Sequence, residues 1–238
     1  MLTFLAYIVA GIFSIGFLWK IFVYARSPAP LLIPTTPAPV TRSGVVWRLF
    51  REVVFFESLF KADKLLWIVG YAFHATLALV LIRHIRYFVD PLPEIFAHYQ
   101  IVGILAGLAM VGALAFLLAR RFVIDRVRHI SSPADYLILL LLLGIGTSGL
   151  LMDFILRPDI IAIKHAMTTL WTSSAASLSL ASPGDVVFIL HLIMVAALII
   201  IFPFSKLMHL GGIFFSPTRN QVDNPREQRH INPWYVEK

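Results

Sequence analysis

The stretch that decides the fold, residues 65–89, reads LLWIVGYAFHATLALVLIRHIRYFV. A helix needs about 20 apolar residues to cross the ~30 Å hydrocarbon core of a bilayer, so this segment is long enough to span a membrane. It nevertheless carries two histidines, His74 and His84. Because polar side chains are costly inside a span, an ionisable residue there indicates a functional site.

The composition of the whole chain agrees with a membrane protein. Hydrophobic residues make up 59% of the chain, mean hydropathy is +0.83 and only 14% of residues are charged, against roughly a quarter in soluble domains. Five apolar stretches are long enough to span a bilayer: residues 2–24, 65–89, 99–119, 136–156 and 186–204. We therefore predict an all-α, polytopic membrane protein. Residues 1–212 would form one bundle of five transmembrane helices, and residues 213–238 a basic tail.

The distribution of lysine and arginine predicts the orientation of the five spans. Six of these residues lie in residues 25–64, four in residues 120–135 and five after residue 204, whereas the other two loops hold only Arg157 and Lys164. By the positive-inside rule, the three basic segments lie in the cytoplasm. We predict a protein of the cytoplasmic (inner) membrane with its N-terminus outside and its C-terminus cytoplasmic. The net charge of +7 follows from this topology and indicates no nucleic-acid partner.

Residues 160–180 are the one stretch that challenges the count of five spans. They are moderately apolar, but Arg157, Asp159 and Lys164 interrupt the entry to the segment. A sixth span would also place the basic tail outside, against the positive-inside rule. We expect a short external helix that lies against the bundle.

The predicted cytoplasmic loop, residues 25–64, has two parts. The proline-rich residues 27–39 favour an extended connector, because proline has a fixed φ and no backbone donor. Beyond them, six apolar residues recur at helical spacing while four charged residues fall elsewhere on the wheel. The apolar residues are Val45, Val46, Leu49, Val53, Phe56 and Phe60, and the charged residues are Arg48, Arg51, Glu52 and Lys64. This pattern predicts an amphipathic helix at the inner membrane face, which serves either membrane packing or the docking of a partner.

A second pair of histidines, His191 and His209, belongs to the fifth apolar stretch and its end. They are eighteen residues apart, which is five turns of helix, so both are predicted to lie on one helix face. The second and fifth spans run in opposite directions. His84 is therefore predicted to meet His191 near the outer surface, and His74 to meet His209 near the inner surface.

Each pair of histidines can hold the iron of one haem through two imidazole nitrogens. A b-type haem is apolar, is bound without a covalent link and needs only axial histidines in a helical pocket. The chain has no cysteine, which excludes thiolate-ligated iron–sulfur clusters and covalent haem attachment. We therefore predict two haem b groups. For any single histidine, the alternative is a hydrogen-bonded interior residue.

The two histidine spacings differ in length. Eighteen residues of straight helix rise about 27 Å, whereas ten residues rise about 15 Å. Helix tilt, together with a break near Pro203 where a backbone donor is missing, is expected to shorten the longer spacing.

The spacings of ten and eighteen residues, in two spans of a five-helix subunit, resemble those of the gamma subunit family of respiratory nitrate reductase. The resemblance runs from the first span to His209. The tail, with SPTRNQ at residues 216–221 and NPRE at residues 224–227, is similar to that of the relative found in the membrane complex associated with dissimilatory sulfite reductase.

This resemblance implies a dihaem cytochrome b subunit that oxidises menaquinol near the outer haem. His84 and His191 would bind the outer haem iron, and His74 and His209 the inner one. Electrons would pass to a cytoplasmic iron–sulfur subunit similar to the catalytic subunit of heterodisulfide reductase, so the site for the terminal acceptor would lie on another subunit. Further membrane and periplasmic subunits are compatible with such a complex.

Six residues at the outer end are candidates for contact with quinol or with a haem propionate. They are Arg83, Arg86, Asp90, Glu94, Lys164 and His165. The two arginines flank His84, where a guanidinium can bind a propionate through paired hydrogen bonds; the alternative is ordinary snorkelling at the membrane interface. The other four lie in outer loops, where one of them can accept a proton or hydrogen-bond a quinone oxygen. Each of these four is otherwise a solvated loop residue.

Two other functions remain open on the sequence. A proton-relay transporter or channel also uses intramembrane histidines, but it usually adds acidic residues within the spans, and Asp153 is the only acid clearly inside one. A passive anchor without haem leaves the histidine pattern unexplained. The other histidines are predicted to be solvated, and they are His98, His129, His165 and His230.

Overall fold

The computed structural model describes residues 2–28, 34, 36–97, 99–171 and 182–223. These residues form helices, turns and loops, with no strand among them. In chain order, the α-helices of this part of the chain are α1 (Leu2–Arg26), α2 (Arg42–Phe55), α3 (Glu57–Ala62), α4 (Lys64–His84), α5 (Glu94–Ala97), α6 (Tyr99–Val123), α7 (Asp125–Ile130), α8 (Pro133–Leu151), α9 (Ile160–Thr168), α10 (Pro183–Ile201), α11 (His209–Gly212) and α12 (Pro217–Asn220).

Within the described ranges, five helical runs are long and apolar enough to cross a bilayer. They are Leu2–Arg26, Lys64–Tyr87, Tyr99–Val123, Pro133–Leu156 and Pro183–Phe204. Each run coincides with one predicted span to within a few residues at its ends. The prediction of an all-α membrane bundle with five spans is therefore confirmed.

The fourth and fifth spans begin with the same local signal. Ser132 precedes α8 and Ser182 precedes α10, and each serine is followed by proline at the first helical position. Asp135 and Asp185, three residues after the serines, accept hydrogen bonds from the serine backbone N–H groups at 2.9 Å. These capping boxes satisfy backbone donors that the first helical turn leaves without partners.

The chain forms two compact units, and the first comprises residues 1–14 and 65–202. In this unit α8 packs against both α6 and α10. Glycines make the contact with α6 close: a Cβ on Gly107 would lie 3.2 Å from Leu150, and one on Gly146 would lie 2.8 Å from Val111. Small residues let helices approach in lipid, where apolar burial provides little driving force. The other partner of α8, α10, is the helix that carries His191.

Helix α9 is nine residues long, well short of the about 20 that a span requires. Its buried residues Ile163, Ala166 and Met167, together with Leu170 just after the helix, form a cluster. Apolar residues of three other segments pack against this cluster: Leu2, Ala6, Tyr87 and Phe188. The prediction of a short helix that packs on the bundle is confirmed for residues 160–168. Residues 172–181 lie outside the described part of the chain.

The fifth span breaks where the sequence places Pro203. Helix α10 ends at Ile201, a 3-10 turn follows over Phe202–Phe204, and Ser205 has an extended backbone before the chain turns again into α11. The predicted break is therefore confirmed. The prediction that His191 and His209 lie on one face of a single helix is wrong, because the extended residue interrupts the helical register between them.

The second unit comprises residues 15–64 and 203–238, of which residues 29–33, 35 and 224–238 lie outside the description. Parts of the predicted proline-rich connector and most of the predicted tail fall on these residues. In the described part, the second half of α1 packs against the chain that follows the break. A Cβ on Gly16 would lie 2.8 Å from the Pro203 side chain, and one on Gly211 would lie 2.6 Å from Ile21.

The predicted amphipathic helix is present, but it is divided at Phe56. This residue ends α2 and precedes α3, and its left-handed backbone (φ 51°) is uncommon for a residue with a large side chain. The apolar residues Val46 and Val53 of this segment are uncovered by the rest of the chain, whereas Glu52 is buried. That the segment lies at the inner membrane face stays a prediction.

Glu52 is buried because donors from two other segments surround its carboxylate. It accepts hydrogen bonds from the Ser58 backbone N–H (3.2 Å), from the Ser58 hydroxyl and from Arg219 Nη1 (2.9 Å). Buried charges persist when they are paired and hydrogen-bonded. Since Arg219 lies on α12, the network joins the amphipathic segment to the C-terminal segment within unit 2.

A second ion pair links α2 to α3. Arg51 and Lys61 both donate to the Glu57 carboxylate, and the Lys61 Nζ lies 2.6 Å from it. The hydrogen bond from Lys61 is the main reason that the pKa of Glu57 is lowered. The carboxylate therefore stays charged to lower pH than an isolated glutamate does, which keeps the pair intact.

Replacing Arg219 with alanine is expected to lower the free energy of unfolding by about 1–3 kcal/mol, because the buried Glu52 carboxylate loses a charged donor. The midpoint of thermal unfolding should then fall by roughly 2–10 °C. The measurement is thermal unfolding of the purified protein in detergent. Arg128→Ala is the control, because Arg128 forms an exposed pair with Asp125 (side chains 54% and 77% exposed). Equal midpoints for the two variants would contradict the role of the network.

Candidate functional site

The imidazole rings of His84 and His191 lie close together and nearly parallel in unit 1. His84 is the last residue of α4, and His191 lies in the first half of α10. Their ring centroids are 6.4 Å apart, and the ring planes differ by 5°. The structure thus brings together the two histidines that the sequence pairs at the predicted outer end.

In both rings a hydrogen bond engages Nδ1 and so determines which nitrogen carries the proton. His84 Nδ1 lies 2.7 Å from the Val80 carbonyl oxygen, so it carries the proton and donates. His191 Nδ1 lies 2.9 Å from the Ser148 hydroxyl, which itself donates to the Ile145 carbonyl at 3.0 Å. Because a hydroxyl has one proton to give, Ser148 accepts from His191. In both rings Nε2 therefore keeps its lone pair for a metal.

The separation of the two rings fits the two axial ligands of one haem iron. Two metal–imidazole bonds of about 2.0 Å, plus about 1.1 Å from each nitrogen to its ring centre, give a centroid distance of about 6 Å. A porphyrin supplies the other four ligands, so two imidazoles suffice. The backbone and hydroxyl partners of Nδ1 are the outer-shell contacts that usually orient histidine ligands.

His74 belongs to the first unit and His209 to the second. His74 Nδ1 lies 2.7 Å from the Gly70 carbonyl oxygen, one turn earlier in α4. His209 Nδ1, at the start of α11, lies 2.9 Å from the Lys206 carbonyl oxygen. Each ring therefore has Nδ1 engaged with a backbone acceptor, as His84 does. That these two histidines share a haem stays a prediction.

Arg83, beside His84, forms a two-pronged ion pair with Asp153. The Nη1 and Nη2 atoms lie 2.6 and 2.7 Å from the two carboxylate oxygens, and the side chains are 12% and 24% exposed. Asp153 projects from the π-helical turn Met152–Leu156 that ends α8. The methylenes of Arg83 occupy the space that a side chain on Gly103 would fill. The sequence identified Asp153 as the acid inside a span but did not predict this partner.

A cavity of about 170 Å³ lies beside the His84 end of unit 1. Three of the six candidate residues line it, namely Arg83, Arg86 and Lys164. A fourth, Asp90, accepts a hydrogen bond from Lys164 Nζ at 2.7 Å. Four of the six residues proposed from the sequence are therefore grouped at one cavity.

The sequence analysis missed four polar or aromatic residues of this cavity: Tyr87, Phe96, Tyr99 and Gln100. The Tyr87 ring lies 5.9 Å from the His84 ring, and the Arg86 guanidinium lies 5.5 Å from the Tyr87 ring centre. Tyr87 thus connects the histidine pair with the cavity. Its position three residues after His84, on the same side of a helix, was the available signal.

The other predicted residues lie elsewhere. Glu94 begins α5 and His165 is an exposed residue of α9, and neither lines the cavity. His129 is exposed, with Nδ1 2.8 Å from the Asp125 carbonyl oxygen. His98 and His230 lie outside the described residues.

Comparison with known proteins gives one family and two similar relatives. Residues 34–225 match the nitrate reductase gamma subunit family. A protein of Archaeoglobus fulgidus is 36% identical over 96% of this chain and 81% of its own length. A protein of Archaeoglobus profundus is 32% identical over 97% of this chain and 81% of its own length. Both relatives are named Hdr-like menaquinol oxidoreductase cytochrome b-like subunit.

Proposed function

Since the chain belongs to the nitrate reductase gamma subunit family, we propose that it is the cytochrome b-like membrane subunit of a menaquinol oxidoreductase. In detail, His84 and His191 would bind one haem b, and His74 and His209 a second. Menaquinol would be oxidised at the cavity beside the first pair. The observation that carries this proposal is the near-parallel placement of the His84 and His191 rings, 6.4 Å apart.

Haem b would supply one-electron transfer when bound. The residues of the chain supply position and tautomer: the Val80 carbonyl and the Ser148 hydroxyl hold the Nδ1 protons and leave Nε2 available. Arg86 is suited to bind a propionate, because it follows His84 by two residues and lines the cavity, with its guanidinium 5.5 Å from the Tyr87 ring centre. Arginine binds carboxylates through a planar pair of donors.

The cavity has features that suit a quinol head group. Tyr87 and Phe96 provide aromatic walls, while Lys164 and Gln100 provide hydrogen-bonding groups. Ligand sites usually combine a largely apolar lining with a few placed polar groups. Lys164 can donate to a quinol oxygen, and Asp90, whose side chain is 64% exposed, can accept a released proton and pass it to water.

The proposed electron path leads from the His84 end towards His74 and His209, on the predicted cytoplasmic side. The acceptor would be a cytoplasmic iron–sulfur subunit similar to the catalytic subunit of heterodisulfide reductase. The names of the two relatives support an assembly of this kind. Quinol oxidation outside with electron flow inward would separate charge, and one charge moved across 100 mV is worth about 2.3 kcal/mol.

The competing function, a proton relay, depends on Asp153 as an intramembrane acid. The Asp153 carboxylate accepts two hydrogen bonds from Arg83 at 2.6 and 2.7 Å. A carboxylate held in this way is the structural counter-ion of a guanidinium, with both of its oxygens engaged by one partner. The geometry therefore supports the electron-transfer proposal over the relay.

An absorption spectrum of the purified complex tests the proposal. The dithionite-reduced protein is expected to show a b-type α band, with about two haems per chain by the pyridine haemochrome method. Addition of a naphthoquinol should reduce part of the same band. A protein that expresses, folds and remains colourless after haem supplementation would overturn the proposal.

A further inference from the structure

We infer that helix α8 sets the orientation of both histidines of the pair, although it carries neither of them. Ser148 and Asp153, five residues apart on this helix and its terminal turn, are the positioning residues. Ser148 acts directly on His191, and Asp153 acts on His84 through Arg83. The inference rests on the proposed function, because it concerns the ring planes of two haem ligands.

The contact with His191 is a single hydrogen bond between helices. Ser148 is buried (8% exposed), and its hydroxyl accepts from His191 Nδ1 at 2.9 Å while donating to the Ile145 carbonyl. The Ser148 hydroxyl donates one hydrogen bond and accepts another, so rotation of the His191 ring would break a buried hydrogen bond. The ring of His191 is therefore fixed by α8 rather than by its own helix.

The contact with His84 is indirect. The helix of His84, α4, provides one acceptor for the ring, the Val80 carbonyl. However, His84 is the last residue of α4, and the last turn of a helix tends to fray. The preceding residue, Arg83, is held at two points by Asp153. Two parallel hydrogen bonds fix both the position and the rotation of a guanidinium. The end of α4 is thus tied to α8 one residue before the histidine.

The π-helical turn Met152–Leu156 gives this arrangement its local basis. It begins one residue before Asp153, and such single turns alter the direction of side chains relative to a regular α-helix. One helix thus reaches α10 through Ser148 and α4 through Asp153. Both contacts come from this one element, and the two imidazole planes that they orient differ by 5°.

The test uses Ser148→Ala and Asp153→Asn in the haem-loaded complex, with electron paramagnetic resonance and redox titration as readouts. Parallel imidazole planes give a low-spin ferric signal with separated g values, and twisting one ring raises the largest of them. Both variants are expected to raise the largest g value of one haem. Both should also raise its potential: Ser148→Ala weakens the ligand as an electron donor, and Asp153→Asn leaves the Arg83 charge unbalanced. The signal is assigned to this pair by its loss in His191→Ala.

Two control variants make the same kinds of change away from the histidine pair. Thr147→Ala removes a hydroxyl that donates to carbonyls of its own helix, and Asp125→Asn removes an exposed partner of Arg128; neither should move signal or potential. Ser148→Thr keeps the hydroxyl and should retain the wild-type signal.

If Ser148→Ala fails to bind haem, the result for Asp153→Asn alone decides. Haem-loaded variants with the wild-type signal and potential would overturn the inference, whereas absence of haem from the unmutated protein would overturn the proposed function instead.

Discussion

Replacing His191 with alanine is expected to remove one of the two haems, so that the haem content falls from about two to about one per chain. The reason is the geometry of the pair: the His84 and His191 rings are close enough to share an iron, and a low-spin b-type haem needs both axial ligands. Menaquinol-dependent reduction of the remaining haem should fall at least about 100-fold, because the electron acceptor nearest the cavity is lost. The measurements are the pyridine haemochrome content and stopped-flow reduction.

Two controls separate loss of a ligand from loss of the fold. His165→Ala removes an exposed histidine of α9 and should retain both haems. External imidazole should partly restore the lost haem in the His191 variant, because it can occupy the space left by the side chain. Two haems per chain in His191→Ala, with an unchanged reduced spectrum, would show that this residue is not a ligand.

The spans could be predicted from sequence because their signal is local. Apolar length alone identifies a membrane helix. The predicted starts of the fourth and fifth spans, residues 136 and 186, fall three residues late because the serine–proline starts of α8 and α10 are polar. The break near Pro203 was equally local, since proline removes a backbone donor. The spacing argument for His191 and His209 failed at this same break, because it assumed that the helix continued to His209.

Contacts between distant residues were the part that the sequence could not provide. Arg83 and Asp153 are 70 positions apart, and Arg219 and Glu52 are 167 apart. In each case a charge that local pattern assigns to the interface or the polar face of a helix is partly or fully buried with a partner from another segment. The helical wheel places Glu52 off the apolar face but does not show that the residue is buried. Pairing of charges is a property of the tertiary fold, which a helical wheel does not contain.

The fold distinguishes Lys164 from the other loop residues that the sequence offers as quinol-binding candidates. In sequence it is one loop residue among four with similar chemistry. In the structure its side chain is 31% exposed, lines the cavity and lies 2.7 Å from Asp90. The predicted role is therefore binding of the quinol oxygen and delivery of its proton to Asp90.

Replacing Lys164 with alanine is expected to lower kcat/KM for a soluble naphthoquinol by roughly 10- to 100-fold, which corresponds to the loss of one hydrogen bond to a charged donor, about 1.5–3 kcal/mol. Both haems should remain, with unchanged absorption spectra, because Lys164 contacts neither histidine pair. Asp90→Asn should lower kcat more than it raises KM, since the carboxylate is proposed to accept the proton after binding. The measurements are steady-state quinol oxidation and haem content.

Lys61→Ala provides the matched control, because Lys61 also pairs with a carboxylate, that of Glu57, but lies at an exposed site of unit 2 (70% exposed). Its quinol kinetics should equal those of the unmutated protein.

The double variant Lys164→Ala, Asp90→Asn should lose less activity than the product of the two single losses, because residues in direct contact act as one unit. Wild-type kcat/KM in Lys164→Ala would exclude this cavity as the quinol site, and the haem assignment would then stand on the histidine geometry alone.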